Sequence, residues 1–138
     1  MIAVLAAALA ILGGCTAARW YLDRPGRREE RRGGICLTAL WNSGGAFDLP
    51  VSRRVLAGIS AALLGLVWTR RKCSPLGTAL VLGGGGSNLY ERIRYGRVYD
   101  YVHFPKAPGP LKRYVFNLAD FAIFAGAVLL LFPRERKR

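Results

Sequence analysis

The chain has 138 residues, of which 52 % are hydrophobic, and its formal net charge is +13. Long apolar runs between basic clusters are typical of a single-domain membrane protein with basic loops. A nucleic-acid-binding protein could be equally basic, but it would not need several apolar runs of about twenty residues. The three cysteines and one histidine form no metal-ligand spacing and no disulfide framework, so we expect no zinc site and no cofactor.

Four apolar segments predict four membrane-spanning helices, with both chain termini on the same side of the membrane. A spanning helix needs about 20 residues, within a range of roughly 17 to 25, so the second and third segments are marginal. The predicted fold is an all-α integral membrane protein, with four transmembrane helices and a small β-cradle. The predicted spans cover residues 2–22, 52–69, 74–91 and 114–132.

The connections between the spans differ in character. The stretch ICLTALWNSGGAFDLP alternates imperfectly and carries β-branched and aromatic residues, so we predict short strands or a hairpin at the membrane interface over residues 33–50. Residues 92–113 are predicted to be a loop, because their Pro-Gly-Pro centre is incompatible with a helix. The tyrosines of this loop suit a membrane interface.

Two of the apolar segments allow a second interpretation. The sequence LGGC, which ends at Cys15, resembles the lipobox of a lipoprotein, but no Lys or Arg precedes it as in a normal signal peptide. We therefore favour an ordinary first span. The sequence GGGGS at residues 83–87 looks like a flexible linker. A single copy inside an apolar run instead indicates a helix whose backbone closely approaches its neighbour.

The distribution of Lys and Arg favours one orientation in the membrane. Seven of the 21 basic residues lie in the loop after the second segment and in the C-terminal tail: Arg70, Arg71, Lys72, Arg134, Arg136, Lys137 and Arg138. The other fourteen lie on the opposite face. Counting Lys and Arg alone would therefore place the larger loops inside the cell.

Three acidic residues lie at a membrane edge or within a predicted span, Glu91, Asp100 and Asp120, and Asp120 is the most informative of them. A charged Asp at the centre of a spanning helix costs about 2.5 to 3.5 kcal/mol, so such a residue is usually functional. Asp120 lies five residues past Val115, which places it roughly 7.5 Å along the helix axis, a depth that water can reach. Asn117 lies on the same helical face and can hydrogen-bond its carboxylate. The alternatives are a plain helix cap at Asn117 or Asp120, and an interfacial turn at Asp100.

Two carboxylates held close together can share one proton. The ionised carboxylate then takes a proton from a water molecule, and the protonated one donates to the substrate carbonyl. This pair could hydrolyse an amide without a metal or a covalent intermediate. Spacing alone does not establish that Asp100 and Asp120 meet. The sequence contains no GxSxG elbow, no HExxH motif and no Walker loop.

Three stretches resemble the motifs of signal peptidase II, the lipoprotein signal peptidase, in order and spacing: NSGGAF (42–47), SNLYERIRYGRVYDYVHF (87–104) and FNLAD (116–120). The family patterns are roughly NxGAAF, GNxxDRxxxGxVxDF and FNxAD, and the resemblance covers residues 37–132. It implies four transmembrane helices, a small extracytoplasmic β-cradle and a loop over the site. It also implies a metal-free aspartic protease that cuts just before the lipid-modified cysteine of a prolipoprotein.

The resemblance assigns the catalytic dyad to Asp100 and Asp120. It gives a substrate-binding role to four further polar residues: Asn42, Asn88, Arg92 and Asn117. The implied partners are a prolipoprotein with a lipobox and a diacylglyceryl-cysteine, membrane lipid and globomycin-type cyclic peptides, with no nucleic acid. The implied location is the cytoplasmic membrane, as a multi-pass protein with an extracytoplasmic active site. That orientation is opposite to the one the Lys and Arg count favours.

The sequence departs from the family patterns at several positions, although both aspartates of the dyad are present. The family usually has an Asp and a Lys in the first span, a Gly and an Asp in GNxxDR, and a basic residue before the NxGAAF motif. At these positions this sequence has Cys15, Arg19, Ser87, Glu91 and Trp41. We expect the chemistry to survive. The alternative is a catalytically impaired or non-enzymatic paralogue that acts as a membrane binding or assembly protein.

Overall fold

The computed structural model describes residues 1–24, 30–43 and 51–132. Within those ranges the chain forms four α-helices, α1 (Ile2–Leu22), α2 (Arg53–Thr69), α3 (Pro75–Tyr95) and α4 (Leu118–Leu131). It also forms four strands, β1 (Glu30–Arg32), β2 (Ile35–Asn42), β3 (Val98–His103) and β4 (Val115–Phe116). A short 3₁₀ helix, Gly109–Arg113, lies between β3 and β4. The prediction of four helices and a small β region is confirmed.

Residues suited to helix ends define where the helices begin and stop. The Ser52 hydroxyl accepts a hydrogen bond from the Val55 N–H at 3.4 Å and so caps α2. Pro75 starts α3, where its missing N–H would have no partner within the helix. Gly96 ends α3 with a left-handed φ of 71°, a conformation that glycine adopts without steric cost.

Helix α3 is the centre of the bundle and contacts the other three helices. Its glycines allow close approach on two sides. A Cβ on Gly83 would lie 2.7 Å from the Ala8 carbonyl oxygen of α1, and one on Gly84 would lie 2.6 Å from the Ala119 carbonyl oxygen of α4. The GGGGS stretch is therefore part of a helix with close backbone contacts, as the sequence predicted, rather than a linker.

The four helices differ in whether they are long enough and apolar enough to cross a membrane. Among the described residues, α1 is the helix that is both long and apolar enough to cross a membrane. Helices α2 and α4 are apolar but shorter, with 17 and 14 residues. Large apolar side chains are exposed along both α1 and α4, as at Leu9 and Leu131. Such a surface suits lipid better than water, but spanning by all four helices stays a prediction.

The four strands form one antiparallel sheet in the order β1-β2-β3-β4. Gly33, with a φ of 63°, lies in the turn between β1 and β2. In the pairing of β2 with β3, Leu40 lies opposite Asp100, after a shift in register that follows Leu37. Strand β4 pairs with the end of β3, where Phe116 lies opposite Val102. This pairing brings β3 and its Asp100 next to the start of α4.

Helix α4 is shorter than the predicted span of residues 114–132. It begins at Leu118, because Val115–Phe116 pair with β3 and Asn117 forms the N-cap. Asp120 consequently lies in the first turn of α4, not the roughly 7.5 Å into the helix that we expected. The structural alternative of a helix cap at Asn117 is therefore correct.

The predicted loop and β-cradle also differ from the structure. Helix α3 extends to Tyr95 instead of ending at 91, and residues 92–113 contain strand β3 as well as loop. The missed strand is short, and its pairing partners β2 and β4 are distant in sequence, so no local pattern identified it. Strand β2 lies within the predicted cradle, 33–50, while residues 44–50 lie outside the described ranges.

Candidate active site

Asn117 joins the two candidate aspartates through its side chain and backbone. Its Nδ2 donates a hydrogen bond to Asp100 Oδ1 at 2.8 Å. Its backbone N–H donates to Asp120 Oδ2 at 3.0 Å, and the Asp120 N–H donates back to Asn117 Oδ1 at 3.0 Å. These reciprocal bonds are a capping box. The residue that starts α4 therefore also holds the carboxylates of β3 and α4 at one place.

A second contact fixes β3 against the start of α4. The Tyr101 hydroxyl accepts a hydrogen bond from the Leu118 N–H at 3.0 Å, which satisfies one of the free donors in the first turn of α4. Tyr101 is buried, and this burial raises the pKa of its hydroxyl to about 12, so the group stays neutral. Tyr101 was not predictable from the sequence, because nothing in its local pattern indicates a partner seventeen residues away.

Two further asparagines complete the hydrogen bonding of the carboxylates. Asn88 donates to Asp120 Oδ1 at 2.9 Å and accepts from Asn117 Nδ2 at 3.1 Å. Asn42 donates to Asp100 Oδ2 at 3.3 Å. Each of the four carboxylate oxygens thus accepts a hydrogen bond from an asparagine. The structure therefore brings together five of the six residues that the resemblance singled out.

Both aspartates line one cavity of about 510 Å³. Arg92, the sixth residue, lines the same cavity, so all six lie at or beside it. The remaining wall contains large apolar side chains from three helices: Leu63, Leu64, Val81, Ile123 and Phe124. A polar cluster next to an apolar wall fits a ligand that is part peptide and part hydrocarbon.

The two carboxylates have different surroundings. Asp100 is 4 % exposed. Burial, with the neighbouring Asp120 charge as a second cause, raises the pKa of Asp100 from 3.8 to about 7 against the opposing hydrogen bonds from Asn42 and Asn117. Asp120 lies in the first turn of α4, where the helix dipole favours a negative charge. The geometry therefore favours a proton on Asp100 and a charge on Asp120 near neutral pH.

The chemistry available to this arrangement is acid–base chemistry between two carboxyl groups. In the part of the chain that the structure describes, no group of three His, Cys, Asp or Glu residues could hold a metal ion. One carboxyl group that holds a proton beside another that does not can act as general acid and general base in turn.

Arg19 and Glu91, two of the departures from the family pattern, lie next to each other in the structure. Arg19 Nε lies 3.2 Å from Glu91 Oε1, and Glu91 Oε2 accepts a hydrogen bond from the Tyr99 N–H at 2.8 Å. Both Arg19 and Glu91 belong to helices that contact each other, α1 and α3. Their joint departure from the family pattern was the signal that could have predicted the pair.

Comparison with known proteins identifies relatives across most of the chain. The family model described as Signal peptidase (SPase) II matches residues 5–133. A lipoprotein signal peptidase of Nitrobacter hamburgensis is 37 % identical over 108 residues, which cover 70 % of this chain and 66 % of the relative. One of Methylorubrum extorquens is 41 % identical over 107 residues, with 70 % and 61 % covered. The matched part of the chain thus spans slightly less than two thirds of these two relatives.

A third relative and two solved structures extend the likeness. The lipoprotein signal peptidase of Syntrophomonas wolfei is 42 % identical over 123 residues, covering 81 % of this chain and 78 % of the relative. A bacterial membrane enzyme solved by the in meso method at 2.3 Å superposes with a TM-score of 0.79 at 15 % identity, covering 100 % of this chain and 95 % of that one. A similar structure at 1.9 Å also gives 0.79, at 14 % identity and with 96 % and 92 % covered.

The two structures, at such low identity, show that the fold is shared. The family assignment comes from the sequence comparisons, which include the region of the candidate site. Since the family model covers residues 5–133 and curated relatives reach 42 % identity, the chain belongs to the signal peptidase II family.

Proposed function

We propose that this protein is a lipoprotein signal peptidase that works as a membrane aspartic endopeptidase. It would remove the signal peptide of diacylglyceryl-modified prolipoproteins by cutting just before the lipidated cysteine. The observation that carries the proposal is that Asn117 joins Asp100 and Asp120, whose carboxylates line one cavity. The names of the relatives, all lipoprotein signal peptidases, support the same substrate class.

The proposed mechanism begins with the asymmetry between the two carboxyl groups. Asp120, ionised, takes a proton from a water molecule, whose oxygen attacks the carbonyl carbon of the scissile peptide bond. Asp100, protonated, donates its proton to the carbonyl oxygen. When the tetrahedral intermediate collapses, the carbon–nitrogen bond breaks and the proton on Asp120 passes to the leaving amine. A hydroxyl proton of the intermediate returns to Asp100, so the pair regains its starting state.

The other polar residues support this chemistry from fixed positions. Asn42 and Asn88 each donate to one carboxylate, which holds the pair in place without adding charge. Arg92 lines the cavity and can donate to a carbonyl group of the extended substrate peptide. The apolar wall from α2, α3 and α4 would contact the acyl chains of the substrate. Globomycin-type cyclic peptides would compete for the same cavity.

A cleavage assay with a matched pair of substrates tests the proposal. The purified protein in detergent is incubated with a prolipoprotein that carries the diacylglyceryl group on its lipobox cysteine, and with the same chain unmodified. We expect cleavage of the modified chain alone, at the bond before the cysteine. If neither chain is cut, the protein is a non-enzymatic paralogue, and if both are cut equally, the proposed role of the lipid is wrong.

We further propose a multi-pass location in the cytoplasmic membrane, with the site on the extracytoplasmic side and both termini in the cytoplasm. The exposed Lys106 and Lys112 lie in the segment between β3 and β4, at the site end of the bundle. Basic groups there can be held by anionic lipid head groups. Such contacts would stabilise basic residues on the extracytoplasmic side, although the Lys and Arg count favours the opposite orientation.

Two cysteine positions test this orientation. Cys73 is exposed in the connection between α2 and α3, at the end of the bundle away from the site. Cys36 is a free, half-buried cysteine on β2 at the opposite end, so both proteins also carry Cys36→Ser. A Lys106→Cys variant that lacks Cys73 through Cys73→Ser then places a new thiol at that end. We expect a membrane-impermeant maleimide to label the variant in intact spheroplasts, and Cys73 only after lysis. Labelling of Cys73 in intact spheroplasts, with none at position 106, would show the reverse orientation.

A further inference from the structure

The side chain of Glu91, on α3, contacts both α1 and β3, the strand that carries Asp100. It is 5 % exposed, and its two carboxylate oxygens have different partners. Oε1 lies 3.2 Å from Arg19 Nε on α1, and Oε2 accepts a hydrogen bond from the Tyr99 N–H on β3 at 2.8 Å. Asp100 is the next residue along β3. A side chain of α3 therefore holds the backbone N–H of the residue directly before a candidate catalytic residue.

The hydrogen bond to Tyr99 lies where the sheet supports β3 on one edge only. Strand β2 pairs with β3 along one edge, with Trp41 opposite Tyr99. On the other edge, the pairing of β4 with β3 involves Val102 and His103 and does not extend to Tyr99. The Glu91 carboxylate supplies the acceptor that a longer β4 would have provided. It thereby fixes the part of β3 that carries Asp100.

Arg19 faces the Glu91 carboxylate as its ion-pair partner in this buried position. The Arg19 side chain is only 13 % exposed, and its guanidinium lies 5.0 Å from the centre of the Tyr95 ring. Its Nη2 also donates to the Tyr95 hydroxyl at 3.3 Å. Each member of a buried ion pair needs the other, because removal of one leaves an uncompensated charge. The pair therefore acts as one unit.

We propose that Arg19 and Glu91 are positioning residues that hold strand β3 so that Asp100 stays in place for the reaction. Glu91 binds the Tyr99 peptide group, and Arg19 holds Glu91. The role rests on the proposed proteolytic function and concerns the same site. A misplacement of a reacting group by about 1 Å can lower a rate by roughly 100-fold, so even a partial loosening of β3 would be measurable.

Two double variants separate positioning from charge. Both carry Arg19→Met, so neither contains a buried unpaired cation. Glu91→Gln keeps a carbonyl oxygen that can accept from the Tyr99 N–H, whereas Glu91→Met has a similar length but no such acceptor. We expect the Gln variant to keep kcat within about threefold of the wild type, and the Met variant to lose roughly tenfold in kcat with KM unchanged. Equal kcat values in the two variants, or a loss confined to KM, would overturn the proposal.

Hydrogen exchange provides a readout that does not depend on cleavage. The amide proton of Tyr99 in the folded wild type should exchange slowly, and the single variant Arg19→Met should speed its exchange. Unchanged exchange at Tyr99 would contradict the proposal even if the Met variant failed to fold. If the wild type cleaves no prolipoprotein, the proposed function is wrong, while the exchange measurement still tests whether the ion pair fixes β3.

Discussion

Replacing either Asp100 or Asp120 with Asn should lower kcat for prolipoprotein cleavage by about 10⁴-fold. Asn has nearly the same shape as Asp and can still accept a hydrogen bond. It cannot hold or transfer the proton that the two carboxyl groups are proposed to share. Both substitutions should leave KM nearly unchanged, because the polar and apolar walls of the cavity stay in place.

Asp23→Asn is the matched control for these two variants. Asp23 follows the last residue of α1 and does not line the cavity, so this substitution should leave kcat as in the wild type. Rates are measured on the diacylglyceryl-modified substrate, and a melting temperature confirms that each variant is folded. If Asp100→Asn and Asp120→Asn both cleave as fast as Asp23→Asn, the dyad does not catalyse the reaction.

The sequence predicted the helices because their signal is local. Apolar runs of helical length place α1 to α4 within a few residues of their observed positions. The error of four residues at the start of α4 arose because apolar residues such as Val115–Phe116 fit either a strand or a helix. The decision between the two depends on β3, which is distant in sequence.

The candidate site was predictable by resemblance and only in part by physical reasoning. The cost of burying Asp120 singled out one carboxylate. Its partner Asp100 lies on a strand that no periodicity indicated, so the contact through Asn117 became visible only in three dimensions. The Arg19–Glu91 pair was hidden for a similar reason, since it joins α1 and α3, whose contact becomes visible only in three dimensions.

Asn117 combines a structural and a chemical task that two substitutions should separate. Its Oδ1 caps α4 through the Asp120 N–H, while its Nδ2 donates to Asp100 and Asn88. Serine is also a good N-cap, but its hydroxyl is too short to replace the amide nitrogen. Asn117→Ser should therefore keep the cap and lose the bridge, and Asn117→Ala should lose both.

The two Asn117 variants should differ in stability but show a similar loss of kcat. Both variants should lose about 10² to 10³ in kcat, the usual cost of one preorganised donor, because Asp100 loses its shortest observed hydrogen bond. Only Asn117→Ala should also lose about 1 kcal/mol in the free energy of unfolding, measured by denaturation in detergent. Wild-type kcat in Asn117→Ser would show that the bridge is not needed for catalysis. In that case a lower kcat in Asn117→Ala would come from the lost helix cap, and Asn117 would matter to the reaction only by starting α4 at the right residue.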